Sequence, residues 1–148
     1  MKTYRKIPIV CLWLLLVLGL LLGSQVIVNA DQYDEADQLV EAMAAYNEGV
    51  AAYNEGDYQK AIQKFQPLAE QGHAIAQYNL GLMYDDGQGV PQDYVQAHKW
   101  FNLSATRSKG DLRKKTVRNR NAIEKKMSPV QVAEAQKLAR EWEPKPAQ

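Results

Sequence analysis

The sequence predicts an all-α protein, a short α-solenoid of about three antiparallel helix hairpins. Three observations predict it: an internal period of 36 residues, apolar stripes at helical spacing, and no strand-like alternation once the leader is set aside. The chain has 148 residues, 46% hydrophobic and 24% charged, with a formal net charge of +1. These values suit one globular domain and exclude a disordered or collagen-like chain.

The N-terminus reads as an address. Lys2, Arg5 and Lys6 precede the apolar run Ile7–Leu22, a polar break at Gly23-Ser24-Gln25, and Val28-Asn29-Ala30 before the acidic Asp31. This is the layout of a signal peptide over residues 1–30, cut near Ala30. The expected location is periplasmic or secreted. The alternative is an inner-membrane anchor over residues 7–28, with the membrane met only through that uncleaved leader. The single cysteine, Cys11, lies in the leader. The segment after it therefore offers no disulfide framework, thiolate nucleophile or cysteine metal site.

Residues 31–44 form an acidic segment leading into the first helix, expected over Asp37 to Glu55. Within it Ala44–Gly49 is duplicated as Ala51–Gly56, which puts Tyr46 and Tyr53 on one face. The 36-residue shift then superimposes Asp57 on Asp93, Tyr58 on Tyr94, Ala61 on Ala97, Phe65 on Phe101 and Ala69 on Ala105. Each set begins with an aspartate able to cap a helix and continues as one apolar stripe. Gln96 would close a capping box with Asp93. Between these two helices, His73 to Asp85 carries Ala76, Leu80 and Met83 on one stripe and stops at Gly87-Gln88-Gly89. A further helix is expected over Asp111–Met127. A last one starts at Ser128-Pro129, with Gln131 placed for a capping box and a stripe through Val132, Ala135, Leu138, Ala139 and Trp142. Each helix is amphipathic and too short to persist alone, so stacking in pairs is the natural solution.

The segment Ala74-x-Ala76-Gln77-x-x-Leu80-Gly81-x-x-Tyr84-x-x-Gly87-x-Gly89-Val90-x-x-Asp93-x-x-x-Ala97-x-x-Trp100 resembles a full Sel-one-like repeat, a variant of the tetratricopeptide helix hairpin. Residues 45–72 resemble part of a preceding unit, 73–108 the full repeat, and 109–142 the closing helix hairpin of short exported members, with a proline-bearing tail at 143–148. The resemblance implies a repeat protein that scaffolds assembly or regulation through protein contacts. Gly81 lies mid-helix, where glycine costs about 1 kcal/mol relative to alanine, and so signals a close neighbour. The basic junction Thr106–Gly110 is longer than such repeats usually have, and a bent or mobile junction is expected there.

Charge is segregated. Residues 31–93 sum to −10, residues 94–148 to +8, and 107–126 alone to +7. The basic helix is expected to be a solvated face, a dock for the acidic half of this chain or a second copy, or a contact to an anionic envelope component. Arg113, Lys114, Arg118 and Lys125 would form that patch, Arg113 standing apart from the other three. Export disfavours nucleic acid.

No enzyme is expected. The two histidines, His73 and His98, lack metal-ligand spacing and read as surface or helix-end residues. Asp85-Asp86 lacks the alternation of a calcium loop. There is no G-x-S-x-G and no dinucleotide loop, and no cofactor is implied. A hydrolase acting on cell-wall or beta-lactam substrates, an activity of cysteine-rich relatives, is the least favoured reading. The expected function is an exported adaptor that presents a concave helical surface to an unidentified protein or peptide. Tyr46, Tyr53, Gln77 and Tyr78 are the candidate binding residues. Ala76, Leu80, Gly81, Tyr84, Gly87, Gly89, Asp93, Ala97 and Trp100 are the structural residues of the repeat.

Overall fold

The structure is a computed structural model and describes residues 30–146. The leader read over residues 1–30 lies, apart from Ala30, outside the described residues. The chain divides into two units, and Asp37 begins the unit described below.

Six helices follow one another: α1 (Ala30–Asn54), α2 (Tyr58–Glu70), α3 (Ala74–Asp86), α4 (Tyr94–Arg107), α5 (Gly110–Glu124) and α6 (Pro129–Arg140). Among the described residues there is no strand. Side-chain caps explain three of the helix starts. Asp57 accepts from the amide of Lys60 and Asp93 from those of Val95 and Gln96. Ser128 and Gln131 close the expected capping box. The box expected at Asp93 does not close, because the Asp93 amide donates to the Tyr84 carbonyl across the α3–α4 loop.

Gly89 shows why that loop is rich in glycine. Its φ is +73°, and a Cβ there would lie 2.8 Å from the Tyr58 carbonyl. Side chains disfavour both conditions. The Gly89 carbonyl accepts from Gln59 Nε2, which ties the loop to the start of α2.

α2 packs on α3 and α3 on α4, while α5 and α6 both pack on α4. The larger core joins Phe65, Leu68, Ala76, Leu80 and Met83 to Trp100 and Leu103 of α4, with Ala139 and Trp142 packed against it. The second core is Ala97, Phe101 and Ile123. α4 is thus the central wall, its two sides facing different clusters. Burying Phe65 and Phe101 completely contributes about 1.5–3 kcal/mol each.

α5 starts two residues after α4 ends, with Ser108 and Lys109 extended between them. The C-terminal stripe also differs from expectation at its end. Trp142 lies past α6, where its ring stacks under Arg107 at 4.4 Å. The tail beyond it is anchored. The Lys145 amide donates to the Glu70 carbonyl, and Lys145 Nζ reaches Glu70 Oε2 at 2.8 Å. This covers an otherwise unpaired carbonyl at the end of α2.

Candidate functional site

The repeat is built on one contact made twice. A Cβ on Gly81 would lie 2.5 Å from Phe101, and a Cβ on Gly49 would lie 2.6 Å from Phe65. Each glycine lets a phenylalanine from the following hairpin arm lie flat against its helix. Three residues before each glycine stands a tyrosine over the same ring. Tyr46 is 5.6 Å from Phe65, and Tyr78 is 5.8 Å from Phe101.

These tyrosines lead onto the face formed by α1, α3 and α5. Asn79 Nδ2 donates to the Tyr46 hydroxyl at 3.4 Å, and Asn119 Nδ2 donates to the Tyr78 hydroxyl at 3.2 Å. Tyrosine on one helix and asparagine on the next thus form a two-rung ladder. Between α1 and α3 the face opens into a pocket of about 200 Å³ lined by Tyr46, Val50, Tyr53, Phe65, Asn79 and Leu82. Its walls are apolar and aromatic. The Tyr46 proton and Asn79 Oδ1 have no partner among the described residues. Such a site can seat an apolar side chain and hydrogen-bond to a backbone beside it.

Two of the four candidate binding residues meet here, Tyr46 and Tyr53. Tyr53 is braced edge-on by Tyr58 at 5.4 Å. Tyr78 belongs to the neighbouring rung, against Phe101. Gln77 is not a binding residue. It is fully buried, and its Nε2 donates to the Ala69 carbonyl, so it fastens α3 to α2. Sequence reasoning passed over Val50, Phe65, Asn79 and Leu82 as site residues. Only Val50 carried a signal, lying between the duplicated tyrosines at helical spacing.

The structural residues of the repeat take packed positions. Ala76, Leu80, Gly81, Ala97 and Trp100 are buried, Tyr84 is half-buried, Asp93 caps α4, and Gly87 and Gly89 adopt positive φ.

His98 is neither a surface nor a helix-end residue. It is 1% exposed on α4, facing α5. Arg120 donates to Asn102 Oδ1 at 3.0 Å, which orients the Asn102 amide nitrogen toward His98 Nδ1 at 3.2 Å. Nδ1 therefore accepts, and the neutral ring carries its proton on Nε2, 3.6 Å from Glu124. Burial pushes the His98 pKa below its usual value; the Glu124 carboxylate opposes that and Arg120 adds to it. Among the described residues no three His, Cys, Asp or Glu side chains gather as a metal site.

Arg113, Lys114 and Arg118 are exposed on α5, and Lys125 is exposed at its C-cap. Lys114 pairs with Asp111, while the other three have no carboxylate partner among the described residues. Lys114, Arg118 and Lys125 share the outermost stripe, and Arg113 stands about a quarter-turn away.

The Sel1 repeat family matches residues 42–73 and 74–108, the two units built on Gly49–Phe65 and Gly81–Phe101. Residues 42–108 carry two Sel1 repeats. A protective antigen of uropathogenic Escherichia coli, whose crystal structure displays an SLR fold, superimposes with a TM-score of 0.61 at 34% identity, over 76% of this chain and 24% of that one. The rat DAP3-binding cell death enhancer 1 is 40% identical over 60 residues, 40% of this chain and 12% of the relative. The exopolysaccharide production negative regulator of Rhizobium leguminosarum is 37% identical over 54 residues, 36% of this chain and 20% of the relative. The chain thus spans at most about a quarter of these proteins. The antigen's SLR fold and the two matched repeats are consistent with an all-α solenoid unit suited to protein contacts.

Proposed function

We propose that this Sel1-like chain is an exported, non-enzymatic adaptor that holds a protein or peptide segment on its α1–α3–α5 face. The pocket at Tyr46, Val50, Tyr53 and Leu82 carries the reading, because it joins apolar walls to unpaired hydrogen-bonding groups. A segment inserting one apolar side chain there would also meet Asn79 and Tyr46. The relatives' names agree with such a role: one is called a binding protein and another a negative regulator. Export rests on the basic start, apolar run and small-residue junction of residues 1–30.

Capture tests it. The tagged full chain, and its Leu82→Arg variant, are recovered from the envelope with whatever they hold, and bound proteins are identified by mass spectrometry. Leu82→Arg puts a charge into the pocket wall at a half-buried residue that also packs against the second core, so circular dichroism first establishes that the variant keeps its helices. The reading predicts a set of proteins held by the unsubstituted chain and lost from the variant, with the mature N-terminus at Asp31. An identical set from both would contradict the groove.

A second reading has its own observation: the outward stripe of Lys114 and Arg118 on α5 and Lys125 at its C-cap. It would hold an anionic envelope polymer or lipid surface, and its binding would fall steeply with salt.

A further inference from the structure

Two outer helices carry opposite charges in one pattern. On α1, Asp37, Glu41 and Glu48 follow one another at spacings of 4 and 7. On α5, Lys114 and Arg118, with Lys125 at the C-cap, repeat those spacings. Each trio is therefore one stripe, about 16 Å long. All six side chains are exposed.

Both stripes face away from α3. Tyr46 of α1 and Asn119 of α5 each hydrogen-bond to a residue of α3. Glu48 stands two residues past Tyr46, and Lys114 five before Asn119. Each therefore lies roughly 140–160° round its helix from that contact. α6 packs on α4, so the outer side of α5 stays bare. Among the described residues Asp37 and Glu41 have no cationic partner, and Arg118 and Lys125 no anionic one. Glu48 is held by Lys64, and Lys114 by Asp111. Val40, 66% exposed, lies beside the α1 carboxylates.

We propose that copies of the chain stack head to tail, with α5 of one copy lying parallel against α1 of the next. The spacing selects this occupant. Any basic surface answers to the charge of α1, but a helix with cations at the same two intervals meets all three carboxylates at once. Parallel helices bring the three pairs level. Antiparallel helices would leave the middle pair three residues, about 4.5 Å, out of step. Parallel is also the direction that a continued stack of hairpins gives to alternate helices such as α1, α3 and α5. Charge interval and helix direction thus agree. The contact joins unlike surfaces, so it builds an open row rather than a closed pair. Val40 is covered in the same contact. Exposed ion pairs are weak singly and screened by salt, so the row forms in a concentration-dependent, salt-sensitive equilibrium. The pocket residue Leu82 takes no part in it.

Exchanging the charges tests the stack on the full chain in a Cys11→Ser background. In sedimentation velocity at low ionic strength the unsubstituted chain should associate as its concentration rises, and physiological salt should weaken this fivefold or more. Asp37→Lys/Glu41→Lys alone should stay monomeric, and so should Lys114→Glu/Arg118→Glu alone, because each variant then carries like charge on both stripes. An equimolar mixture of the two should associate again, since the basic α1 of one variant meets the acidic α5 of the other. Misfolded chains would not regain association on mixing. Ala44 and Asn121 are level in the parallel register. Ala44→Cys chains mixed with Asn121→Cys chains should therefore cross-link on mild oxidation, and Ala44→Cys chains alone should not, because a disulfide needs Cα atoms within about 7 Å. A mixture of charge variants that stays monomeric would overturn the proposal, as would an unsubstituted chain that is monomeric at every concentration. Cross-linking of Ala44→Cys chains alone would overturn the head-to-tail order. Phosphatidylglycerol vesicles that bind a monomeric chain through Lys114 and Arg118 would assign the stripe to an anionic surface instead. Leu82→Arg should associate like the unsubstituted chain, so failure of the stack and failure of the groove are read separately.

Discussion

Gly81 and Phe101 are in such close contact that a single methyl group on the glycine would lie 2.5 Å from the phenyl ring. The mid-helix glycine weakens α3 by itself, and the flat approach of α4 offsets that weakness. Phe101 is fully buried as a result. The same relation between Gly49 and Phe65 makes the first hairpin.

Gly81→Leu is therefore expected to cost roughly 2–4 kcal/mol by overpacking and helix separation. Gly81→Ala should also destabilise, although alanine is the better helix former. Phe101→Leu makes room for that methyl group, so the double variant should lose less than the sum of the singles. Urea denaturation of the four proteins measures this, and strict additivity would contradict the close contact.

Ser128→Ala is expected to cost about 1 kcal/mol, because it opens the capping box at the start of α6. Gln131→Ala removes the other half of the box and should cost less. Chemical denaturation gives both values.

His98 makes stability depend on pH. Its folded pKa lies below the ordinary 6.5, chiefly through burial. The unfolded chain therefore takes up a proton first as pH falls. The contribution from neutral His98 is complete above pH 6.5 and is lost as pH falls from there toward the lowered folded value. His98→Leu should flatten the melting-temperature profile in that window. A variant with the same slope as the original would remove His98 as its source.

The tail fastens α2. Trp142→Ala should destabilise by roughly 2–4 kcal/mol, since the ring packs on the larger core and under Arg107. Truncation after Glu141 should cost at least as much, because Lys145 is lost from Glu70 as well. A truncated chain that melts like the full one would show the tail to be dispensable.

Much of this was legible in the residues, for physical reasons. Caps at Asp57, Asp93 and Ser128 are local, so short spacing reveals them. Gly81 stood out because glycine is costly inside a helix. Gly49 makes the same contact but was hidden within a duplicated Ala-Ala-Tyr-Asn-Glu-Gly, where it read as part of a compositional repeat. Gln77 looked like a groove residue because it is polar beside an apolar stripe. Its partner is a carbonyl eight residues back across a turn, which periodicity does not display. Asn79 and Leu82 became site residues only when α1 was laid beside α3. His98 is buried by α5, and no spacing within α4 announces that.

The decisive measurement compares the groove with the basic helix directly. Binding of the envelope proteins recovered with the chain is titrated at low and physiological salt for three proteins: the unsubstituted chain, Leu82→Arg, and Lys114→Glu/Arg118→Glu. The groove account predicts that Leu82→Arg abolishes binding, that the charge-reversed chain binds normally, and that salt changes little. Binding that survives Leu82→Arg but collapses with charge reversal or added salt would contradict it.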